Sequence, residues 1–426
     1  MHSAHHGDGA ADVVIIGGGI IGAATAYELL RHGVTATLIE RDAIGGGQSG
    51  RNWGFVRQQG RSPAELPLMR AANRRWGELE DELDASVDWV RGGNLALATD
   101  DGGAARYRAW ADVGRAHGVD TSMVGADEVD RIVPGLRLPH TAAMYAGSDG
   151  HADPVSATAA YARAAERGGV RVLRGRSVRA IDHRGGRVRG VVTDHGTLPA
   201  GVVVCAAGSG SRRLLRTAGV ALAQNLVRGT VALTEPAPPL TRATVWAPGL
   251  AFRQRPDGRL VVSTGGGGEV DLTLEALLQA PRFLAAFRHN HRRLRLRVNA
   301  AAIRDLRRRL GAHPAEPEPR PTIGRVRDGL LRLRDAVPAL GRIRLEHAWA
   351  GLIDSTPDAL PVIDRLADPA GLVVATGFSG HGFGVAPAIA EAVADLAAGA
   401  TARHPLRPFR HARFAEGDYR APDAIL

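Results

Sequence analysis

The chain has 426 residues, of which 44% are hydrophobic and 23% charged, enough for two or three globular domains with sizeable cores. It has no run approaching the ~18 apolar residues of a membrane span and no signal peptide before the first predicted strand, which predicts a cytoplasmic protein without membrane association. Its one cysteine, Cys205, excludes an internal disulfide framework and a cysteine-based metal cluster, and we predict no metal site.

The basic character of the chain comes from arginine alone. All 54 basic residues are arginine, the net charge is +10, and the absence of lysine excludes Schiff-base chemistry on a lysine side chain. The densest arginine cluster lies between residues 288 and 309. Because this cluster contains no aromatic residue on which bases could stack, we interpret it as a solvated helix face and expect no nucleic-acid partner.

The N-terminal segment carries a dinucleotide-binding pattern. The apolar run at residues 13–16 predicts a buried parallel strand, and Gly17, Gly19 and Gly22 then open a helix that ends near His32. Glu40 ends a second apolar strand about 20 residues later, where an acid that binds the ribose is expected. Strand, glycines, helix, strand and acid in this order predict that the chain binds an adenine dinucleotide, with its phosphates at the helix N-terminus.

The remaining elements alternate between helical and strand-like patterns. A glycine-rich loop follows at residues 45–57, and the apolar run at residues 202–208 predicts a further strand that ends in small residues before a helix. The other predicted helices cover residues 64–83, 104–117, 154–168, 273–310 and 386–398. The other predicted strands cover residues 95–98, 170–173, 177–181, 187–193 and several segments of 225–263.

Four blocks of sequence together resemble the family of D-amino acid oxidases and sarcosine oxidases. They are the N-terminal glycine pattern, Asp-Gly-x-x-Asp-Pro at 149–154, Val-Cys-Ala-Ala-Gly at 204–208 and Gly-Phe-Ser-Gly-His-Gly-Phe-Gly at 377–384. The resemblance implies an α/β fold in which a Rossmann-like FAD domain comprises residues 1–90, 152–222 and 356–426. Residues 91–151 and 223–355 would form an α+β substrate domain around a mixed sheet.

The resemblance also implies which residues surround FAD. The loop at 377–384 resembles the one that packs on the flavin end, and Val178 matches a position whose backbone contacts adenine. Besides the glycines and Glu40 named above, the implied contacts are Ile20, Ile21, Arg41, Gly47, Gln48, Ser49, Arg51, Asn52, Val178, Ala207, Gly208, Gly380, His381, Gly382, Phe383 and Gly384.

Two signatures resemble the β subunit of heterotetrameric sarcosine oxidases. This resemblance implies either an oligomer or a complex with a partner subunit. The signatures are Arg51-Asn52 with Arg57, and Trp349-x-Gly351-x-x-Asp354 followed by Thr-Pro-Asp. Arg57 matches a position that clamps the substrate carboxylate, a task suited to a planar fork of donors. The alternative is that Arg57 only pairs with an acid or with the cofactor's phosphates.

The chain also departs from the family pattern. Gly351 stands where some members attach the flavin to a cysteine, and a histidine used for attachment in others would fall near Arg51, so we expect FAD to be bound without a covalent bond. The lysine that completes the carboxylate clamp aligns with Gly384, and Ile353 occupies the place of an arginine used by related oxidases. A weaker carboxylate site is therefore expected.

The family removes a hydride from a carbon beside an amine nitrogen and passes it to flavin N5, giving an imine that water hydrolyses. His347 and His381 are candidates for handling the amine proton. Asp354 is a candidate contact for an additional amino group of the substrate. Arg253 and His381 are candidate cations for stabilising superoxide, since the lysine that does so elsewhere matches Val261 or Val262 here.

Three hypotheses follow for the function. The first is an FAD-dependent oxidase or dehydrogenase of an amine or amino acid, with or without an N-substituent. The second is a β-like subunit that hands electrons to a partner, favoured by the missing lysine because reaction with O2 should then be slow. The third is an RNA-modifying flavoprotein, motivated by the arginine cluster and opposed by its lack of aromatic residues.

Overall fold

The computed structural model describes residues 11–291, 294–309 and 318–423. The strands in these ranges are numbered in chain order. They are β1 (Ala11–Ile16), β2 (Ala36–Ile39), β3 (Phe55–Val56), β4 (Asn94–Ala98), β5 (Thr121–Val124), β6 (Ala142–Ala146), β7 (Gly150–His151), β8 (Arg171–Leu173), β9 (Val178–Arg184), β10 (Arg187–Thr193), β11 (Gly196–Cys205), β12 (Asn225–Pro236), β13 (Thr244–Ala247), β14 (Leu250–Gln254), β15 (Arg259–Ser263), β16 (Gly268–Asp271), β17 (Leu294–Arg297), β18 (Leu345–Ser355), β19 (Val362–Arg365) and β20 (Leu372–Thr376).

The helices are numbered in the same way. They are α1 (Ile20–Leu29), α2 (Leu66–Trp76), α3 (Leu79–Leu83), α4 (Asp101–Ala116), α5 (Ala126–Ile132), α6 (Pro154–Arg167), α7 (Ser211–Thr217), α8 (Leu274–Asn290), α9 (Ala300–Arg309), α10 (Ile323–Ala336), α11 (Gly382–Ala398) and α12 (Arg413–Glu416). In the ranges that the structure describes, no helix is both long and apolar enough to cross a bilayer.

The first sheet has the strand order β19-β20-β11-β1-β2-β8, and the hairpin of β9 and β10 continues from β11. Its centre is parallel, with Val13 of β1 aligned with Val202 of β11 and with Ala36 of β2. Apolar residues cover both faces of β1, because Ile15 packs in a core with α1, α6 and α11, while Ile16 packs in another with α7. The carboxyl ends of β1, β11 and β20 therefore meet at one edge of the sheet.

The second sheet is mixed and runs β17-β16-β12-β15-β14-β13-β4-β6-β5, with β18 paired to the other side of β12. Successive side chains along each strand point to opposite faces of this sheet. Leu260 and Val262 of β15 pack against Val326 and Leu330 of α10, whereas Ser263 faces a large cavity. Parallel and mixed sheets with these helices confirm the predicted fold class. The domain boundaries stay a prediction, although every strand of each large sheet falls in the segments expected for its domain.

The predicted helix over residues 273–310 is wrong in its middle. α8 ends at Asn290, β17 pairs in parallel with β16, and α9 begins at Ala300. Residues 294–297 read Leu-Arg-Leu-Arg, an alternation with the period of a strand, and Asn299 accepts a hydrogen bond from the Ala301 N–H at the start of α9. The arginines with described exposure in this segment are largely on the surface, whereas residues 292, 293 and 310 lie outside the described ranges.

Candidate functional site

One cavity of about 1290 Å³ runs between the two sheets. At one end lies the edge where β1, β11 and β20 finish, with the glycine pattern and the loop at residues 47–52. At the other end lie aromatic side chains and buried arginines, including Trp53, Trp246 and Arg57. A crevice outside the carboxyl ends of parallel strands is where open α/β sheets bind dinucleotides.

The three glycines of the N-terminal pattern have different surroundings. A Cβ on Gly17, whose φ is +108°, would lie 2.5 Å from the Ala206 carbonyl oxygen, and one on Gly22 would lie 1.9 Å from that of Gly17. These two positions hold β1, α1 and the end of β11 together. Gly19 instead lines the cavity, where a Cβ would meet only Ser49 Oγ, at 2.9 Å. Of the three, Gly17 and Gly19 face the cavity and Gly22 does not.

The N-terminal end of α1 is fixed against the loop that follows β2. The Ile20 N–H donates to Ser49 Oγ at 2.8 Å, and Asn52 Nδ2 donates to the Ser49 carbonyl at 2.6 Å. Glu40 is half-buried at the end of β2, where its carboxylate accepts hydrogen bonds from the backbone N–H groups of Gly18 at 2.7 Å and Asp42 at 2.8 Å. Both the anion-binding helix end and the acid expected at the ribose are thereby held in place.

The residues expected around the cofactor converge on this cavity. Gly22 and Gly384 are the exceptions: Gly22 packs α1 on β1, and the Gly384 carbonyl accepts a hydrogen bond from Trp76 Nε1 at 2.9 Å. The expected residues that line the cavity are Gly17, Gly19, Ile20, Ile21, Glu40, Arg41, Gly47, Gln48, Ser49, Arg51, Asn52, Val178, Ala207, Gly208, Gly380, His381, Gly382 and Phe383. The glycine pattern at one end and the lining residues that continue from it fit an FAD molecule.

Gly351 and Arg51 occupy the two positions at which the resemblance would place a covalent flavin bond. Gly351 lines the cavity beside Arg51, whose carbonyl accepts a hydrogen bond from Trp349 Nε1 at 2.9 Å. Cys205, the only cysteine of the sequence, is fully buried at the end of β11, and burial raises the pKa of its thiol to about 11.

We therefore expect acid precipitation of the purified protein to release its yellow colour into the supernatant. The physical reason is that the cradle holds FAD by hydrogen bonds and packing, which denaturation removes. The measurement is the flavin absorbance of supernatant and pellet. A pellet that stays yellow after washing would contradict the prediction, and peptide mapping would then identify the attached residue.

The far end of the cavity combines aromatic walls with a buried cation. The rings of Trp53 and Trp246 lie 5.4 Å apart, and the Arg57 guanidinium lies 5.0 Å from the centre of the Trp246 ring. Arg57 is buried, and its Nη1 donates to the Gln59 carbonyl at 2.9 Å. Burial, together with the neighbouring Arg61, lowers the pKa of the Arg57 guanidinium, which means that this cation is short of compensating charge.

A buried carboxylate holds the loop that carries Arg57. Asp149 accepts hydrogen bonds from the N–H groups of Gln58 at 2.8 Å and Gln59 at 3.1 Å, and from the Gln58 side chain. Burial raises the pKa of Asp149 to about 6, although these bonds and Arg57 oppose the rise. Asp149, the first residue of the Asp-Gly-x-x-Asp-Pro block, thus positions the loop that carries Arg57.

His381 reaches the same end of the cavity from the loop after β20. Its Nδ1 lies 3.1 Å from Glu65 Oε1, and both side chains are buried. A carboxylate partner fixes the proton on Nδ1, which leaves Nε2 as a lone-pair acceptor. Burial and Arg61 lower the pKa of His381 below its ordinary 6.5 even though Glu65 opposes the shift. Burial would raise the pKa of Glu65, but His381 and Arg61 bring it below its ordinary value.

Asp354 does not join this cluster. Its Oδ2 accepts hydrogen bonds from the Gly377 N–H at 2.8 Å and from Thr376 Oγ1 at 3.1 Å, which ties β18 to the end of β20. Since β18 is four strand spacings from β13, which carries Trp246, Asp354 lies roughly 19 Å along the sheet from the aromatic end. Burial raises its pKa to about 6. Asp354 lines the cofactor part of the cavity, and the expected contact with a substrate amino group stays a prediction.

Two further candidates, unlike Asp354, lie outside the cavity lining. His347 is exposed and stacks on Trp349, with 5.8 Å between ring centres. Arg253 is buried, but its Nε donates to the Trp53 carbonyl and its Nη1 lies 3.3 Å from His151 Nδ1. Neither residue lines the cavity.

The sequence patterns missed Arg61, Glu65 and Trp246. The first two of these lie in the loop before α2, together with Arg57. A spacing of four residues indicates neighbouring side chains in a helix but carries no such signal in a loop. Trp246 lies on β13, far away in sequence. The tertiary fold brings its ring to Arg57.

The comparisons with known proteins agree with this architecture. A family model described as FAD dependent oxidoreductase matches residues 12–396. The chain is 26% identical over 415 residues to the sarcosine oxidase subunit beta of Rhizobium meliloti (strain 1021), covering 95% of this chain and 89% of the relative. It is 25% identical over 411 residues to the glycine oxidase of Geobacillus kaustophilus (strain HTA426), covering 93% of this chain and 96% of the relative.

Solved structures show the same fold. L-amino acid deaminase from Proteus myxofaciens has a TM-score of 0.89 at 24% identity, covering 97% of this chain and 96% of that one. L-proline dehydrogenase from P. horikoshii has a TM-score of 0.81 at 25% identity, covering 97% of this chain and 100% of that one.

Proposed function

The chain belongs to the family of FAD-dependent oxidoreductases that act on C–N bonds, and we propose that its substrate is an amino acid whose carboxylate is bound by Arg57. The observation that carries the proposal is a buried guanidinium at the aromatic end of the cofactor cavity, with no carboxylate within 4.0 Å in the described part of the chain. A buried cation of this kind is stabilised by an anionic ligand.

FAD supplies the acceptor for the hydride that leaves the substrate carbon. The residues of the chain bind and orient the amino acid around that transfer. Arg57 fixes the carboxylate, and Trp53 and Trp246 form walls that exclude water from the carbon to be oxidised. His381 Nε2 accepts one proton from the substrate ammonium, because the amine must be neutral before its carbon can release a hydride. The resulting imine is hydrolysed to an oxo acid and an amine or ammonia.

We expect His381→Asn to lower the rate of flavin reduction by an amino acid by about 100-fold, the lower end of what a positioned base contributes. In the parent enzyme, kcat/KM should fall only when the pH drops through the pKa of His381, which lies below 6.5 because of burial and Arg61. Glu65→Gln removes the carboxylate that raises this pKa, so the acid limb should move to lower pH.

The control for this pair is Glu78→Gln, which changes an exposed glutamate outside the cavity and should leave the pH profile unaltered. Pre-steady-state reduction measured across pH, with the flavin content of each variant matched, gives the comparison. An acid limb that stays fixed in Glu65→Gln would contradict the assignment of His381 as the proton acceptor.

The absence of lysine does not by itself predict a slow reaction with O2. That expectation requires a cavity without a fixed cation. Val261 and Arg253 place no cation in the cavity, because neither residue lines it. Arg57 and Arg61, however, are buried cations that line the cavity. The missing lysine is therefore no argument for a dehydrogenase, and a partner subunit that receives electrons stays a prediction based on the resemblance.

A further inference from the structure

Arg61 is the second guanidinium of the cavity, and two hydrogen bonds fix its backbone. Its carbonyl accepts a hydrogen bond from Trp110 Nε1 at 2.8 Å, and its N–H donates to the Gln58 carbonyl at 3.3 Å. Gly60, with φ of +76°, permits the tight turn between Gln58 and Arg61. The turn returns the chain so that the Arg57 and Arg61 side chains both line the cavity.

The Arg61 side chain lacks the partners that a buried cation needs. It is 4% exposed, and its Nη1 is buried without a hydrogen-bond partner in residues 11–291, 294–309 and 318–423. Its Nε donates to the Arg57 carbonyl over a long distance of 3.4 Å. Within those same ranges, no carboxylate lies within 4.0 Å of Arg61, and the nearby Glu65 carboxylate is bonded to His381.

The carboxylates near the two arginines form no ion pair with them in the described residues. Asp149 is bonded to the Gln58 and Gln59 N–H groups and Glu65 Oε1 to His381, while Glu65 Oε2 is buried without a hydrogen-bond partner there. Two adjacent buried guanidiniums with free donors repel each other unless an anion lies between them. This arrangement fits a carboxylate, which offers two oxygens and four lone-pair directions.

We propose that Arg61 is the second cation of the substrate-binding site, so that Arg57 and Arg61 together hold one carboxylate of an amino acid. This proposal rests on the proposed function and deepens it. The Gly384 and Ile353 positions led to the expectation of a weak carboxylate site, whereas the loop before α2 supplies the missing charge. Substrates therefore need the carboxylate as well as the amine, and simple amines are poor substrates.

The test compares an amino acid with its carboxamide, which keeps the amine and side chain but carries no anion. The amino acid is the one that bleaches the flavin fastest in an anaerobic panel, and rates are measured by stopped flow. Arg61→Gln should lower kcat/KM for the amino acid by about 30- to 100-fold while changing the rate with the carboxamide less than threefold. Arg61→Lys should retain part of the preference for the amino acid over its carboxamide, because lysine keeps the positive charge but lacks the planar pair of donors.

Arg70→Gln is the matched control, since Arg70 lies on α2 outside the cavity and should leave both rates unchanged. Equal losses for acid and carboxamide in Arg61→Gln, or a normal preference, would overturn the role of Arg61. If Arg61→Gln fails to fold, Arg61→Lys provides the test. A ratio of amino-acid to carboxamide rates below that of the parent supports the role of Arg61, and an unchanged ratio overturns it. If no amino acid bleaches the parent enzyme, the proposed function itself fails, which is a distinct result.

Discussion

Gly19→Val should give a folded but colourless protein. Gly19 has φ of −72°, which any residue adopts, and a Cβ there meets only the Ser49 side chain, 2.9 Å from its Oγ, so the change displaces one hydroxyl and no backbone atom. The valine methyl groups would instead occupy the place at the end of α1 where the FAD phosphates approach the backbone. We expect FAD affinity to fall by at least about 100-fold, measured by flavin absorbance per protein and by titration with FAD.

Two other glycines make this prediction specific. Gly125→Val changes a helix N-terminal residue with no atom within 4 Å of its Cβ, and it should bind FAD normally. Gly22→Val places a Cβ 1.9 Å from the Gly17 carbonyl, so it should lose thermal stability as well as FAD. Normal flavin content in Gly19→Val would show that the phosphates lie elsewhere.

Arg57→Ala should lower kcat/KM for the amino-acid substrate by about 100-fold while FAD stays bound. A charge-assisted hydrogen bond lost from a desolvated site typically costs a few kcal/mol, and Arg57 also covers the Trp246 ring. The measurement is the concentration dependence of anaerobic flavin reduction, which separates binding from the hydride-transfer rate.

A structural role for Arg57 is tested with a second variant. Arg57→Lys keeps the positive charge near Asp149, so it should fold like the parent while losing the two-pronged grip on the carboxylate. We expect it to bind substrate better than Arg57→Ala and worse than the parent. Parent kinetics in Arg57→Ala with full flavin content would mean that Arg57 only supports the loop.

The cofactor half of the site could be predicted from the sequence because its signals are local. Gly17, Gly19 and Glu40 lie in one βαβ unit, in which turn, helix end and strand end have fixed spacings. The broken helix near residues 294–297 shows the limit of this approach. Its alternation is only four residues long and was outweighed by the helical pattern on both sides.

The substrate half could not be predicted in the same way, because its members meet only through the tertiary fold. Arg57 and Arg61 come from one loop, Trp246 from β13 and His381 from the loop after β20. Arg253 and His347, which matching family positions also suggested, lie outside the cavity lining, where Arg253 donates to the Trp53 carbonyl and His347 stacks on Trp349. Burial and unpaired donors, which mark Arg61, are visible only in three dimensions.

Anaerobic mixing of the FAD-loaded protein with a panel of amino acids tests amino-acid oxidation most directly. We expect at least one amino acid to bleach the visible flavin absorbance and to yield one oxo acid per flavin, while its carboxamide reacts far more slowly. Flavin that dithionite reduces but that no amino acid bleaches, or equal rates for acid and carboxamide, would contradict the assignment of Arg57 and its cavity to an amino-acid substrate.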